Sequence, residues 1–224
     1  MGGQSPCLPE IIKGAEKSTM FELGIDVSKY QGKIDFQKVK DSKIEFVIIR
    51  AGYGKDASQK DPYFETNYTN AKAAGLNVGT YWYSYALTED DVKKEAKAFM
   101  KVIAGKQFEY PVYLDLEYLN QLKNGKDFCS NVVRCFCGTL EKHKYFAGLY
   151  MSRFYLQTYI YPEVAEKYSL WIAEYGDKCR YNHPYDMWQK SDACQVNGIS
   201  GNVDLDECYV NFPDIIKRNG LNGF

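Results

Sequence analysis

Histidine is scarce in this 224-residue chain, which has only His143 and His183. With no third ligand near either ring, a zinc site has nothing to be built from. The same scarcity argues against a serine–histidine–acid hydrolase, and no serine sits in a nucleophile-elbow context. A phosphate loop is missing as well, because Gly52-Tyr-Gly54 is not followed by Gly-Lys-Ser/Thr. No cofactor and no metal is implied. Long apolar runs are absent: none approaches the ~18–20 residues of a membrane span. With 28 Lys+Arg against 29 Asp+Glu, the net charge of −1 argues against nucleic acid, which demands a basic face.

Cysteine is present but unpatterned. Seven is an odd number, and Cys129, Cys135 and Cys137 fall on a predicted helix with no zinc spacing. They read as buried free thiols, while Cys179 and Cys194 are close enough in sequence to bridge a late loop. Residues 1–22, broken by Pro6 and Pro9, lack the apolar stretch of a signal peptide. They read as a flexible leader, a trimmed pre-sequence or a cloning remnant, ahead of one domain over residues 23–224.

What is abundant is apolar and aromatic. At 45% hydrophobic the chain can bury a full core as one large domain. The 20 tyrosines suit either an aromatic core or a groove whose rings pack on the C–H faces of sugars. From Leu23 onward, short apolar runs alternate with amphipathic stretches. Strands are expected at 23–27, 46–51, 77–85, 111–117, 147–152, 170–173 and 187–189, with an irregular last one within 196–204. Helices are expected at 36–41, 63–74, 88–104 and 127–142, the third capped by Thr88 with acids in its first turn. Strand–helix alternation implies a parallel sheet, and about eight strands in ~200 residues imply closure. The expected fold is therefore α/β, an irregular TIM-like (β/α) barrel with reduced helices in its second half.

Active sites of such barrels form at the carboxyl ends of the strands. Asp26, Asp115, Glu117 and Asp204 all fall near strand ends. Asp115 and Glu117 lie two apart on one strand, so they share a face with α-carbons about 6.5–7 Å apart. Two acids side by side are costly as core. They serve chemistry well, because one raises the pKa of the other and keeps it protonated.

Seven segments then occur in a familiar order. Gly24-Ile-Asp-Val-Ser-Lys-Tyr-Gln-Gly32 is followed by Phe46-Val-Ile-Ile-Arg-Ala-Gly-Tyr-Gly54 and Val78-Gly-Thr-Tyr-Trp-Tyr-Ser-Tyr85. Tyr113-Leu-Asp-Leu-Glu117, Leu170-Trp-Ile-Ala173, Trp188-Gln189 and Gly198-Ile-Ser-Gly-Asn-Val-Asp-Leu-Asp206 complete the series. Over residues 23–212 the chain resembles glycoside hydrolase family 25, the Chalaropsis-type lysozymes. The resemblance implies an N-acetylmuramidase that hydrolyses the β-1,4 bond between N-acetylmuramic acid and N-acetylglucosamine in peptidoglycan. It makes Glu117 the proton donor and places Asp26, Asp115 and Asp204 in the same groove. Bacterial peptidoglycan strands become the expected partner of a monomer, and the expected location is extracellular or in the cell wall, reached by secretion or lysis.

Cleaving a glycosidic bond needs a proton on the leaving oxygen and stabilisation of an oxocarbenium-like sugar. Glu117, with the longer side chain, reaches past the strand end as the acid. Asp115, one pleat back, is placed to orient the substrate's acetamido group, whose carbonyl oxygen could attack the anomeric carbon. Direct attack by an aspartate, or activation of a water, remains open at this stage. Asp206 reads as structural, and Arg50 as lying inside the barrel among carboxylates. Tyr81, Tyr83 and Tyr85 share one strand face and, with Tyr150, Trp171 and Trp188, are candidate sugar-stacking rings; Gln189 is a candidate hydroxyl partner. A chitinase-like enzyme and a non-catalytic wall-binding module are the competing readings. Chitinases carry further aspartates where this chain has Val112 and Tyr113.

Overall fold

The structure, a computed structural model, describes residues 21–224. The expected leader lies outside the described residues but for its last two, and Glu22 already belongs to the first strand. Eight strands close into one barrel in sequence order: β1 (Glu22–Val27), β2 (Phe46–Tyr53), β3 (Asn77–Tyr83), β4 (Val112–Asp115), β5 (Ala147–Ser152), β6 (Ser169–Ala173), β7 (Met187–Cys194) and β8 (Val203–Cys208). Helices pack outside: α1 (Phe36–Asp41), α2 (Phe64–Ala73), α3 (Glu89–Ile103), α4 (Leu119–Leu122), α5 (Gly125–Lys142), α6 (Arg153–Tyr159), α7 (Pro162–Ala165) and α8 (Phe212–Arg218). As the thinning sequence pattern implies, the long helices α3 and α5 belong to the first five strands, and no helix joins β6 to β7 or β7 to β8.

β1 through β7 run parallel, whereas β8 is antiparallel to both β7 and β1. This corrects the expectation of a strand within 196–204. Residues 195–202 form a short reversal, and a parallel return needs a crossover of a dozen residues or more. Gly198 turns with φ +96°, and a β-carbon there would lie 2.4 Å from the carbonyl oxygen of Asp35. The strand therefore begins only after the glycines. β4 is also shorter than expected, ending at Asp115, although the Leu116 N–H still reaches the Tyr150 carbonyl at 3.2 Å.

Alternation along the strands sorts the barrel into two cores. Outward residues such as Val47, Ile49, Val112, Leu114 and Ile172 meet the buried faces of the helices. On α3 that face is Val92, Ala96, Phe99, Val102 and Ile103, and on α5 it is Cys129, Val132, Val133, Phe136, Cys137 and Leu140, each at helical spacing. Inward residues Phe46, Ile48, Tyr110, Tyr113, Phe146, Trp171 and Met187 fill the lower barrel. Space for the rings comes from glycine: a β-carbon on Gly24 would lie 2.2 Å from the Phe46 ring, and one on Gly148 2.3 Å from Tyr113. Toward the carboxyl ends the inward positions turn polar. The apolar plug below thus lifts the polar residues to the rim.

Candidate active site

Each acid arrives at the rim by strand parity. Asp26 of β1 sits two positions above Gly24, directly opposite Asp204 of the antiparallel β8. Asp115 ends β4 between Tyr83 and Tyr150 of the flanking strands. Glu117 lies two residues beyond the strand, where the chain still runs extended beside β5. All four acids line both lobes of one open groove, an inner lobe of about 190 Å³ and an outer one of about 530 Å³.

The carboxyls form two pairs. Asp204 is hydrogen-bonded to Asp26, which also accepts from Gln189 Nε2 at 2.6 Å. Gln189 is itself held by the hydroxyls of Tyr150, at 2.8 Å, and Tyr175, at 3.3 Å. Burial raises the Asp26 carboxyl well above the usual range, and the charges of Asp204 and Asp206 raise it further. Asp204 is pushed to about 6, first by burial and then by Asp192. In the second pair, burial and then Glu117 hold Asp115 high, while burial and then Asp204 raise Glu117. Asp115 Oδ1 is buried without a hydrogen-bond partner.

Arg50 does lie inside the barrel, but it is committed elsewhere. Its Nη2 sits 2.6 Å from Asp61 Oδ2, and Nε donates to the same oxygen at 2.8 Å. Among the described residues none of the four rim acids has a direct ion-pair partner, and the charge of Arg50, already paired with Asp61, only partly offsets the crowding at Asp115. That is the condition under which one carboxyl keeps its proton beside an ionised neighbour. Among the described residues no group of three or more His, Cys, Asp or Glu side chains is disposed to hold a metal ion.

The aromatic candidates divide. Tyr81, Tyr150, Trp171 and Gln189 line the inner lobe, and Tyr83 and Tyr85 line the outer one. Trp171 forms the floor, its ring 4.4 Å from Tyr150 and its Nε1 donating to the buried Asp206 at 2.8 Å. Trp188 does not reach the groove, which corrects its place among the stacking rings. Met187 and Gln189 take the inward positions of β7, so the residue between them must face out. There its Nε1 donates to the Glu174 carbonyl at 2.7 Å, and the Lys190 ammonium lies over its ring. Sequence reading missed Tyr175, although it stands two past Ala173 and four past Trp171, at the inward parity. It also missed Tyr30 and Tyr53; Tyr30 is on a single 3-10 turn, Lys29–Gln31, too short for any periodicity to flag it. The turn carrying Tyr30 is fixed by Ser28, whose Oγ accepts from the Tyr30 N–H while Gln31 caps back onto the Ser28 N–H.

Comparison with known proteins adds a family. A model described as "Glycosyl hydrolases family 25" matches residues 25–199. The autolytic lysozyme of Clostridium acetobutylicum is 35% identical over 185 residues, covering 82% of this chain and 55% of that protein. The chain thus spans little more than half the length of that relative. Among solved structures, the CTP1L endolysin superposes with a TM-score of 0.76 at 29% identity, covering 88% of this chain and 70% of that one. The modular autolysin LytC of Streptococcus pneumoniae, solved in complex with a synthetic peptidoglycan ligand, gives 0.77 at 27% identity, covering 86% and 47%.

Proposed function

Because the chain belongs to glycosyl hydrolase family 25, we propose that it is a lysozyme that hydrolyses the β-1,4 bond between N-acetylmuramic acid and N-acetylglucosamine in bacterial peptidoglycan. The observation that carries this reading is the convergence of four carboxyls, two buried and two half-buried, on one open groove. Glu117 is the proton donor. It is half-buried, lies beyond the strand end, and has its pKa raised by burial and by Asp204. A carboxyl so held keeps its proton into the pH range where free carboxylates have lost theirs.

Asp115 is the orienting residue. Its unpartnered buried Oδ1 is an acceptor in want of a donor, and the N–H of a substrate acetamido group supplies one. Holding that N–H turns the acetamido carbonyl toward the anomeric carbon, the substrate-assisted route to an oxocarbenium-like transition state. The Asp26–Asp204 pair, which shares a hydrogen bond, contributes negative field opposite the developing positive charge. The wall polymer as substrate is supported by the names of the relatives, an autolytic lysozyme and an autolysin bound to a peptidoglycan ligand. Action at the cell wall follows from that substrate.

Glu117→Gln tests the assignment. Clearing of a suspension of dead bacterial cells should fall by about 10²–10⁴-fold, the usual worth of a general acid, while glycan binding persists. Equal clearing by both proteins removes Glu117 from the donor role. Mass spectrometry of the wild-type products should find muramic acid at the new reducing ends; glucosamine there favours another glycosidase class. Binding without any clearing by the wild type favours a wall-binding module.

A further inference from the structure

The outer lobe ends in a shelf of tyrosines that the proposed chemistry does not use. Tyr53 closes β2, Tyr83 closes β3, Tyr85 follows two residues on, and Tyr118 follows Glu117. The ring of Tyr85 sits at the centre, 4.8 Å from Tyr83, 4.9 Å from Tyr118 and 6.0 Å from Tyr53, and it is 43% exposed. Tyr30 stands over the Arg50 guanidinium at 5.1 Å and lines the same lobe. Exposed aromatics clustered in this way are poor core and a good interaction surface. This surface is continuous with the acids, because Tyr53, Tyr83 and Tyr85 line the lobe that Asp26, Asp115, Glu117 and Asp204 also line.

The shelf is braced from below. Glu95 of α3 is fully buried, and its carboxylate accepts the Tyr85 N–H at 2.8 Å and the Ser84 hydroxyl at 2.6 Å. Gln121 of α4 donates to that same hydroxyl at 2.9 Å, and the Ser84 N–H reaches the Asp115 carbonyl at 3.0 Å. The buried acid thus anchors Ser84 and Tyr85 to α3, and Ser84 in turn ties that loop to the segment carrying Glu117 and Tyr118. A buried carboxyl is expensive to keep, and what this one secures is the backbone beneath the shelf. A platform held rigid before binding loses little entropy when a ligand settles on it.

We propose that Tyr53, Tyr85 and Tyr118 form a distal subsite that stacks on a hexosamine ring of the glycan, beyond the two rings joined by the cleaved bond. The proposal rests on the glycan-cleaving reading above. The inner lobe, about 190 Å³, accommodates far less than the outer lobe of about 530 Å³, so the additional ring extends along the outer lobe. The aromatic faces meet its C–H surface, and its hydroxyls stay at the wet rim.

The test compares kcat/KM on two defined peptidoglycan glycan fragments, a tetrasaccharide and a chain several disaccharides longer, for wild type, Tyr85→Ala, Tyr85→Phe and Tyr118→Ala. Wild type should prefer the longer chain. Each alanine variant should reduce the long-to-short ratio roughly three- to tenfold, the worth of one aromatic contact, and Tyr85→Phe should retain the wild-type ratio. An unchanged ratio in both alanine variants, including an equal loss on both substrates, overturns the subsite while leaving the cleavage reading intact. If wild type cleaves neither fragment, the cleavage reading fails and the subsite with it.

Discussion

Trp188 and Gln189 are adjacent in sequence and point to opposite sides of one strand. Gln189 reaches into the groove and donates to Asp26, whereas Trp188 faces outward to the Glu174 carbonyl. Substitutions at the two sites should therefore separate. Gln189→Leu removes the donor that favours the ionised form of Asp26 and should reduce kcat/KM at least tenfold in the cell-wall assay, with little change in melting temperature. Trp188→Phe loses one hydrogen bond, about 1 kcal/mol of stability, and should leave kcat/KM unchanged. The opposite pattern would mean that Trp188 contacts substrate. Either tryptophan looks like a sugar-stacking ring by type, and only its parity relative to Met187 excludes Trp188. Glu95 and Asp61 illustrate a different limit: each is one more surface-type acid in sequence, and only packing reveals one as a brace and the other as the partner of Arg50.

At the scale of elements, strand parity links the floor of the barrel to the site. Gly24 leaves room for the Phe46 ring, which stacks on Tyr110 at 4.3 Å and has nowhere to retreat. Gly24→Ala should therefore cost about 1–3 kcal/mol, as overpacked cores do, measured by urea unfolding. Adding Phe46→Leu should recover part of that loss; if the single variant is neutral, the floor is looser than the geometry states. Most elements were legible beforehand because their signals are local. Thr88 caps α3 through the Asp91 N–H, and Gly75, with φ +75°, stands just past the end of α2. The misjudged elements were those governed by a neighbour. β8 begins later than its apolar pattern suggests because Gly198–Gly201 form a turn, and its antiparallel direction depends on how few residues separate it from β7.

For the molecule as a whole, buried acids set how stability responds to pH. Burial pushes Glu95 to about 7 and Glu141 to about 7, and Asp204 lies at about 6. The unfolded chain releases those protons near pH 4, so above that value the native state holds more protons than the unfolded one. Stability is then fully present at about pH 4 and declines as pH rises through 6 and 7. Carboxylates lowered by ion pairs, such as Asp90 beside Lys94, are ionised throughout that window and add no slope. The melting temperature should be higher at pH 5 than at pH 8, and Glu95→Gln should narrow the difference. A melting temperature that rises toward pH 8 would contradict this sign.

The sequence by itself determined the class of fold and the supply of acids. Apolar periodicity and strand–helix alternation are written in neighbouring residues, and the spacing of Asp115 and Glu117 is enough to put both on one face. Only the tertiary structure decided which acids meet, which aromatics turn inward and which way the last strand runs. Those outcomes depend on closure of the barrel, which sets Asp26 opposite Asp204, residues 178 positions apart in the chain, and no local pattern carries that information.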